Sequence, residues 1–141
     1  MSAINIEISE VGPRDGLQSI TPIMPTAAKK QWISALAAAG VPEIEVGSFV
    51  PARVLPQLAD TAELVTHARG IAGLAVAVLV PNLRGAENAL TVAPDKMTVP
   101  LSVSETHSLK NLRRTHEQVL AEVRGIRAAI DVLPQAQRPR L

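Results

Sequence analysis

The segment Glu10 to Gln18, EVGPRDGLQ, holds the side chains best suited to chemistry. Arg14 and Asp15 lie between Gly12 and Gly16, just after a run in which apolar and polar residues alternate. If that run is a strand of a parallel sheet, the two side chains emerge where the loops after the strands converge, which is where α/β proteins build their sites. The alternative is a solvated pair in which Asp15 makes an Asx-type turn before Gly16.

The composition limits the chemistry that this segment can take part in. The 141 residues include 14 Lys plus Arg, 13 Asp plus Glu and no cysteine, for a formal net charge of +1. Without cysteine the chain has no disulfide framework, thiolate nucleophile or zinc ribbon, so any metal must be held by oxygen and imidazole ligands. A nearly neutral chain with only Trp32 and Phe49 as aromatics is not typical of nucleic-acid binding. We therefore expect no nucleic-acid partner.

The sequence also bears on location. No apolar stretch reaches the roughly 18 to 20 residues that a membrane span needs, so we expect no membrane partner. The first residues, Met1-Ser2-Ala3, do not begin a basic region followed by an apolar one. These features predict a cytoplasmic protein.

None of the three histidines pairs with another at the spacing of metal ligands. His67 falls late in a predicted helix, where a cation is favoured by the helix C-terminus, and we expect it at the surface. His116 falls in the middle of a predicted helix on a partly apolar stripe, which favours a structural role. His107 lies in SETHSLKN, at the end of the last predicted strand.

Four βα units are predicted to position these residues. The alternation that includes Ile4, Ile6 and Ile8 is the period of a first strand, and it stops at Gly12. The first helix is predicted to begin at Thr26, as its N-cap, and to end at Gly40. The later units are the strand Glu43 to Ser48 with the helix Leu55 to Arg69, the strand Gly73 to Val80 with the helix Leu83 to Ala93, and the strand Lys96 to Val103 with the helix Ser108 to Leu133.

Repeated βα units with apolar strands indicate a parallel sheet covered by right-handed helical crossovers. A complete eight-fold barrel of this kind has about 250 residues and rarely fewer than about 200. The predicted fold class is therefore α/β, with four βα units and a parallel sheet that make the N-terminal half of a TIM (β/α)8 barrel. Residues 1–141 would be one partial domain that ends before the fifth strand, with Pro134 to Leu141 as the connector. The alternative is a small open α/β sheet that is complete in itself.

The segment EVGPRDGLQ resembles the start of the hydroxymethylglutaryl-CoA lyases, which belong to the metal-dependent lyase and synthase barrels with an Arg-Asp-Gly signature after strand one. The Gly-Pro before the signature favours the lyase branch, whereas His107 stands where lyases often have a larger apolar residue and related acyl-CoA synthases often have His. The similarity continues at the end of each later predicted strand, through Ile44-Glu45, Ser48-Phe49-Val50, Pro56-Gln57, Ala59-Asp60, Pro81-Asn82-Leu83 with Gly85, and Ser104-Glu105 with Lys110 and Asn111.

This resemblance implies a reverse Claisen cleavage of 3-hydroxy-3-methylglutaryl-CoA to acetyl-CoA and acetoacetate. Asp15 would bind a divalent cation, Mg²⁺ or Mn²⁺, which lowers the pKa of the substrate hydroxyl. Arg14 would stabilise the enolate as negative charge develops. Glu45 would hold Arg14 or a metal-bound group. Six further residues match positions around the mouth of the site and would bind substrate, with capping and turn chemistry as their alternative: Gln18, Ser48, Asn82, Ser104, Glu105 and Asn111.

The resemblance also implies that part of the site is missing from this chain. The second half of the family's barrel supplies a His-x-His metal pair, a metal-binding Asn and a catalytic cysteine, whereas this chain has no His-x-His and no cysteine. We therefore expect the isolated chain to bind metal weakly and to be inactive. The expected partners are an acyl-CoA substrate and either a missing C-terminal half or a second copy of the chain. Two alternative functions remain: a related acyl-CoA synthase or lyase, and a non-catalytic half-barrel assembly module.

Overall fold

A computed structural model describes residues 6–141, which form a four-stranded parallel sheet with helices packed on one face. The strands follow one another in the sheet in chain order, so each crossover leads to the neighbouring strand. The strands are β1 (Ser9–Glu10), β2 (Glu43–Ser48), β3 (Ala75–Leu79) and β4 (Lys96–Thr98). The α-helices are α1 (Thr26–Ala38), α2 (Thr61–Arg69), α3 (Leu83–Leu90), α4 (Glu105–Asn111) and α5 (His116–Asp131). Three shorter helical turns span Gly12–Gly16, Pro56–Leu58 and Gln135–Gln137.

The apolar core lies between the sheet and the helices. Because successive residues of a strand point to opposite faces, one set of strand side chains enters this core and the other faces a cleft. The core set is fully buried and comprises Ile44, Val46, Val76, Val78 and Met97. These residues pack with buried helix residues, among them Ile33, Leu64, Val65, Ala86, Ile126 and Ile130. The sheet therefore keeps its second face free for polar side chains.

The predicted first strand is only partly observed. Ile4 lies outside the described residues, and Ile6 and Ile8 are 76% and 66% exposed. The strand begins at Ser9 because its neighbour, β2, begins at the residue opposite, Glu43. Within residues 6–141, no strand lies opposite the residues that precede Ser9, so they form no ladder.

Two predicted helices are divided, and one predicted cap is wrong. The predicted helix from Leu55 is a short 3-10 turn followed by α2, which begins at Thr61. Thr26 is the first residue of α1 and not its N-cap, because its hydroxyl donates a hydrogen bond to Asp60 instead (2.8 Å). The predicted helix from Ser108 becomes α4 and α5, with Arg113 between them in the left-handed region (φ 54°).

The start of α5 shows why the chain begins a new helix there. Thr115 accepts a hydrogen bond from the backbone of Gln118, and the Gln118 side chain accepts one from the backbone of Thr115. This reciprocal capping box satisfies two amide groups that would otherwise lack partners at the first turn. His116 is consequently the first residue of α5. The prediction that it lies in the middle of a helix is wrong.

The end of the sheet also differs from the predicted strand Lys96 to Val103. β4 stops at Thr98, two residues before Pro100, which has no backbone N–H for a ladder. Beyond β4, Arg140 forms a parallel bridge with Lys96: its N–H donates to the carbonyl of Asp95 (2.9 Å) and its carbonyl accepts from Met97 (2.8 Å). The segment predicted as a connector thus places one residue where a fifth strand would pair.

Candidate active site

The face of the sheet opposite the helices encloses a cleft of about 1080 Å³. It is lined by residues from β2, β3 and β4 and from the turns that follow the strands. Its polar lining includes Arg14, Gln18, Glu45, Asn82, Thr98 and Asn111. The convergence expected for the loops after parallel strands is therefore observed.

A π-helical turn over Gly12–Gly16 places Arg14 in the lining of this cleft, with Asp15 beside it but outside the lining. The amides of both residues donate to the carbonyl of Val11 (3.1 and 2.7 Å), which closes the turn directly after β1. The backbone at Gly12 lies close to two side chains, because a Cβ atom at this position would be 2.8 Å from Glu10 Oε1 and 3.1 Å from the Trp32 ring.

Arg14 connects two carboxylates. Its Nε lies 2.5 Å from Glu45 Oε2, and its Nη1 lies 2.6 Å from Asp15 Oδ1. The Arg14 side chain is 16% exposed and that of Glu45 only 4%, whereas that of Asp15 is 54% exposed. Gln18 adds a hydrogen bond from its amide to Asp15 Oδ1 (3.2 Å). The guanidinium is thus fixed at the cleft while the Asp15 carboxylate remains accessible to a ligand.

The predicted substrate-binding residues separate into two groups. Gln18, Asn82 and Asn111 line the cleft together with Arg14. Ser48, Ser104 and Glu105 are not among the residues, within 6–141, that line it.

The residues outside the cleft have local structural roles. Ser48 is buried, and its hydroxyl accepts a hydrogen bond from the amide of Val50 (3.2 Å). Ser104 caps α4 by accepting from the amide of His107 (3.3 Å), and Glu105 lies in the first turn of that helix, where a negative charge is favoured. Asn82 combines both roles, since it lines the cleft and also caps α3 by accepting from Gly85 (2.9 Å).

Three polar residues of β2 and β4 that line the cleft were not predicted from the sequence. The Thr98 hydroxyl donates to Glu45 Oε1 (2.5 Å), and the side chains of Lys96 and Glu43 form an ion pair (2.8 Å). All three alternate with core residues along β2 and β4, so their only signal in the sequence was this alternation. Their partners lie two strands away, and no local pattern identifies them.

Glu43 is the most deeply buried carboxylate of the cleft, with 1% exposure. Burial raises the pKa of its carboxyl, but hydrogen bonds from Lys96 and Ser9 and the charges of Lys96 and Arg140 outweigh this effect, so the pKa lies below its ordinary value of 4.5. Arg140 makes the second contact, with Nη2 3.1 Å from Glu43 Oε2. Glu43 therefore links β2 to both β4 and the chain segment beyond it.

This pKa shift predicts acid sensitivity. A carboxyl whose pKa is lowered by folding stabilises the protein above its ordinary pKa, and the stabilisation is lost as the pH falls through the folded value. We expect the free energy of unfolding, measured by urea titration, to fall below pH 4.5. The Glu43→Gln variant should be less stable at neutral pH and should show a shallower fall in acid. Parallel curves for the two proteins would contradict the contribution of Glu43.

Asp15 is the one residue proposed here as a ligand for a hard divalent cation. Asp15 offers a half-exposed carboxylate, the oxygen donor that Mg²⁺ and Mn²⁺ prefer. Both oxygens of Glu45 are already engaged, by Arg14 and Thr98. Among residues 6–141 no group of three or more His, Cys, Asp or Glu side chains is placed to hold a metal. The remaining ligands of an octahedral ion would have to come from water, from substrate or from another segment.

Known proteins show the same arrangement of sequence and fold. The chain is 37% identical over 88% of its length to the mitochondrial hydroxymethylglutaryl-CoA lyase of Arabidopsis thaliana, and 41% identical over 80% to the cytoplasmic 3-hydroxy-3-methylglutaryl-CoA lyase of Rattus norvegicus. A solved HMG-CoA lyase of Acinetobacter baumannii, in complex with coenzyme A and 3-methylmalate, superposes with a TM-score of 0.85 at 34% identity over 99% of this chain.

The match covers only part of each relative. The chain spans 26% and 33% of the two curated relatives and 45% of the solved chain. The predicted fold class is confirmed, since the parallel α/β sheet corresponds to the N-terminal part of an HMG-CoA lyase TIM barrel.

No helix within residues 6–141 is both long and apolar enough to cross a bilayer. The HMGL-like family profile matches residues 5–135, so the chain belongs to the HMGL-like family.

Proposed function

We propose that this chain supplies the N-terminal half of a lyase site that cleaves 3-hydroxy-3-methylglutaryl-CoA to acetyl-CoA and acetoacetate. The observation that carries the proposal is the Arg14 guanidinium, held at the cleft between the carboxylates of Glu45 and Asp15. Relatives named as lyases for this substrate, and a solved relative with coenzyme A bound, support the same substrate class.

Arg14 is suited to stabilise the enolate that departs when the carbon–carbon bond breaks. A guanidinium has five N–H donors, and the contacts to Glu45 and Asp15 use Nε and one donor of Nη1. The remaining donors are available to a thioester oxygen on which negative charge develops. Because Arg14 is already held by two ion pairs, little reorganisation is needed when that charge appears.

Glu45 is assigned the positioning of Arg14, because each of its carboxylate oxygens accepts a hydrogen bond from this chain and its side chain is only 4% exposed. Gln18, Asn82 and Asn111 are the proposed contacts to the acyl-CoA, because their amides line the same cleft. Ser48, Ser104 and Glu105 lie outside the cleft lining and are not proposed as contacts to the acyl-CoA.

The HMGL-like family is metal-dependent in general. We propose Mg²⁺ or Mn²⁺ for this chain, with Asp15 as the ligand that the chain provides. When bound, the cation would lower the pKa of the substrate hydroxyl by acting as a Lewis acid. Asp15 is not part of the cleft lining, but hydrogen bonds from Arg14 and Gln18, which do line the cleft, hold its carboxylate beside it.

The open edges of the sheet require a partner in this proposal. β1 pairs only with β2, and beyond β4 only Arg140 forms a bridge among the described residues. Unpaired strand edges favour association, and a segment with the remaining strands of the barrel would cover both. Self-association is the second candidate, and a monodisperse monomer in size-exclusion chromatography with light scattering would argue against it. A cytoplasmic location stays a prediction, since relatives include both mitochondrial and cytoplasmic lyases.

The proposed function can be tested with and without a second half. The isolated chain is expected to bind Mn²⁺ weakly in calorimetric titration and to release no acetoacetate. Joined to the C-terminal part of the Acinetobacter baumannii relative, it should release acetoacetate from the substrate, and the same fusion with Asp15→Ala should not. A folded fusion without activity would contradict the proposal, and robust turnover by the isolated chain would contradict the need for a second half.

A further inference from the structure

Thr98 and Glu45 contact each other although their strands are not neighbours. Thr98 is in β4 and Glu45 is in β2, with β3 between them. Adjacent strands lie about 4.8 Å apart, so this contact spans about 10 Å of sheet. The Thr98 Oγ1 nevertheless lies 2.5 Å from Glu45 Oε1. The two side chains therefore meet above the strand that separates their backbones.

The contact crosses β3 between Ala77, which is paired with Glu45, and Leu79, which is paired with Thr98. Both of these residues line the cleft. The Ala77 side chain is a single methyl group, so it adds little bulk beside this path. The Lys96 to Glu43 ion pair also joins β4 to β2 across β3 (2.8 Å). Contact across the middle strand is thus a repeated feature of this face.

The hydroxyl of Thr98 completes the hydrogen bonding of Glu45. The Glu45 side chain is 4% exposed, so water cannot readily replace a lost partner. One carboxylate oxygen accepts from Thr98 and the other from Arg14 Nε. A buried carboxylate oxygen without a donor is costly, so removal of the hydroxyl should turn the carboxylate until both oxygens face the guanidinium. That rotation would draw Arg14 away from Asp15.

We propose that Thr98 is a positioning residue whose hydroxyl, reaching Glu45 across β3, sets the orientation of the Arg14 guanidinium. This inference rests on the proposed function, because Thr98 would act by orienting Arg14, the residue proposed to stabilise the enolate. The contacts themselves lie within this chain and do not depend on the reaction. They can therefore be tested separately from activity.

The first test uses the 141-residue chain and NMR detection of the Arg14 Nε–H. In the unaltered chain we expect this proton and the Thr98 hydroxyl proton to be protected from solvent exchange. Thr98→Val, which keeps the shape and removes the hydroxyl, should increase Arg14 Nε–H exchange by roughly 10-fold, whereas Thr98→Ser should retain protection. Thr66→Val is the matched control, because the Thr66 hydroxyl bonds only locally, to Ala62 in α2.

The second test measures kinetics in the fusion described above. Thr98→Val should lower kcat by roughly 10-fold with little change in KM, and Thr98→Ser should restore most of kcat. Equal Nε–H exchange in the unaltered chain and Thr98→Val would overturn the proposal, as would a Thr98→Ser variant that behaves like Thr98→Val. Rapid exchange of the Thr98 hydroxyl in the unaltered chain would also overturn it, even if Thr98→Val does not fold. If the unaltered fusion is inactive, the proposed function fails while the NMR test of Thr98 still decides its own question.

Discussion

Arg14→Gln is expected to lower turnover of the complete barrel by about 100- to 1000-fold, with Mn²⁺ affinity nearly unchanged. Glutamine keeps an amide donor but loses the positive charge opposite the developing enolate. The metal ligand, Asp15, is retained, and its carboxylate is half-exposed and remains accessible. Steady-state acetoacetate release gives kcat and KM, and calorimetric titration gives the Mn²⁺ affinity.

Two controls separate catalysis from folding in this experiment. Removal of Arg14 leaves the buried Glu45 without its cation, which lowers stability, so the folded fraction must be measured by urea titration and turnover corrected for it. Asp15→Ala should weaken Mn²⁺ binding as well as turnover. Normal turnover in a folded Arg14→Gln protein would show that the guanidinium does not stabilise the enolate.

Gly47→Ala is expected to destabilise the chain by about 3 kcal/mol, through steric overlap and lost hydrogen bonds. A Cβ atom at Gly47 would lie 2.3 Å from the hydroxyl oxygen of Thr61 and 2.9 Å from its Cβ. Thr61 cannot easily move, because it is buried and held by hydrogen bonds. Its hydroxyl accepts a hydrogen bond from the amide of Ser48 and donates one shared between the carbonyls of Leu58 and Ser48. The free energy of unfolding in urea is the measurement.

Gly125→Ala is the matched control for this substitution. Gly125 lies within α5, and a Cβ atom there would meet only Leu83 at ordinary contact distance (3.6 Å). Alanine favours helix more than glycine does by about 1 kcal/mol, so the control should be slightly stabilised. Similar free energies of unfolding for the two variants would contradict the steric role of Gly47 beside Thr61.

Gly47 also lies at an irregularity of the sheet next to the site. The pairing of β2 with β3 shifts between Glu45 and Gly47, so the irregularity lies directly after the residue that holds Arg14. A glycine within a predicted strand is a known signal of such an irregularity. Gly47 packs against Thr61 at the start of α2. This contact depends on how the helix lies on the sheet, which the local sequence does not specify.

The elements that periodicity determines were predicted well. β2 has the predicted bounds, and α3 and β3 lie within theirs. The errors lie at helix starts and strand ends, where either a distant partner or a local cap decides the outcome. Thr26 pairs with Asp60 and so does not cap α1, and the capping box at Thr115 begins a separate helix.

By itself, the sequence determined the order of βα units and the position of Arg14-Asp15 after the first strand, because alternation, glycine turns and neighbouring residues are local properties. Only the tertiary structure decided that Glu45 holds Arg14 rather than a metal-bound group, that Thr98 reaches Glu45 across β3, and that Ser104 and Glu105 lie outside the cleft lining. Partners from different strands are joined by the register and spacing of the sheet. Those depend on packing against the helices, which no short segment specifies.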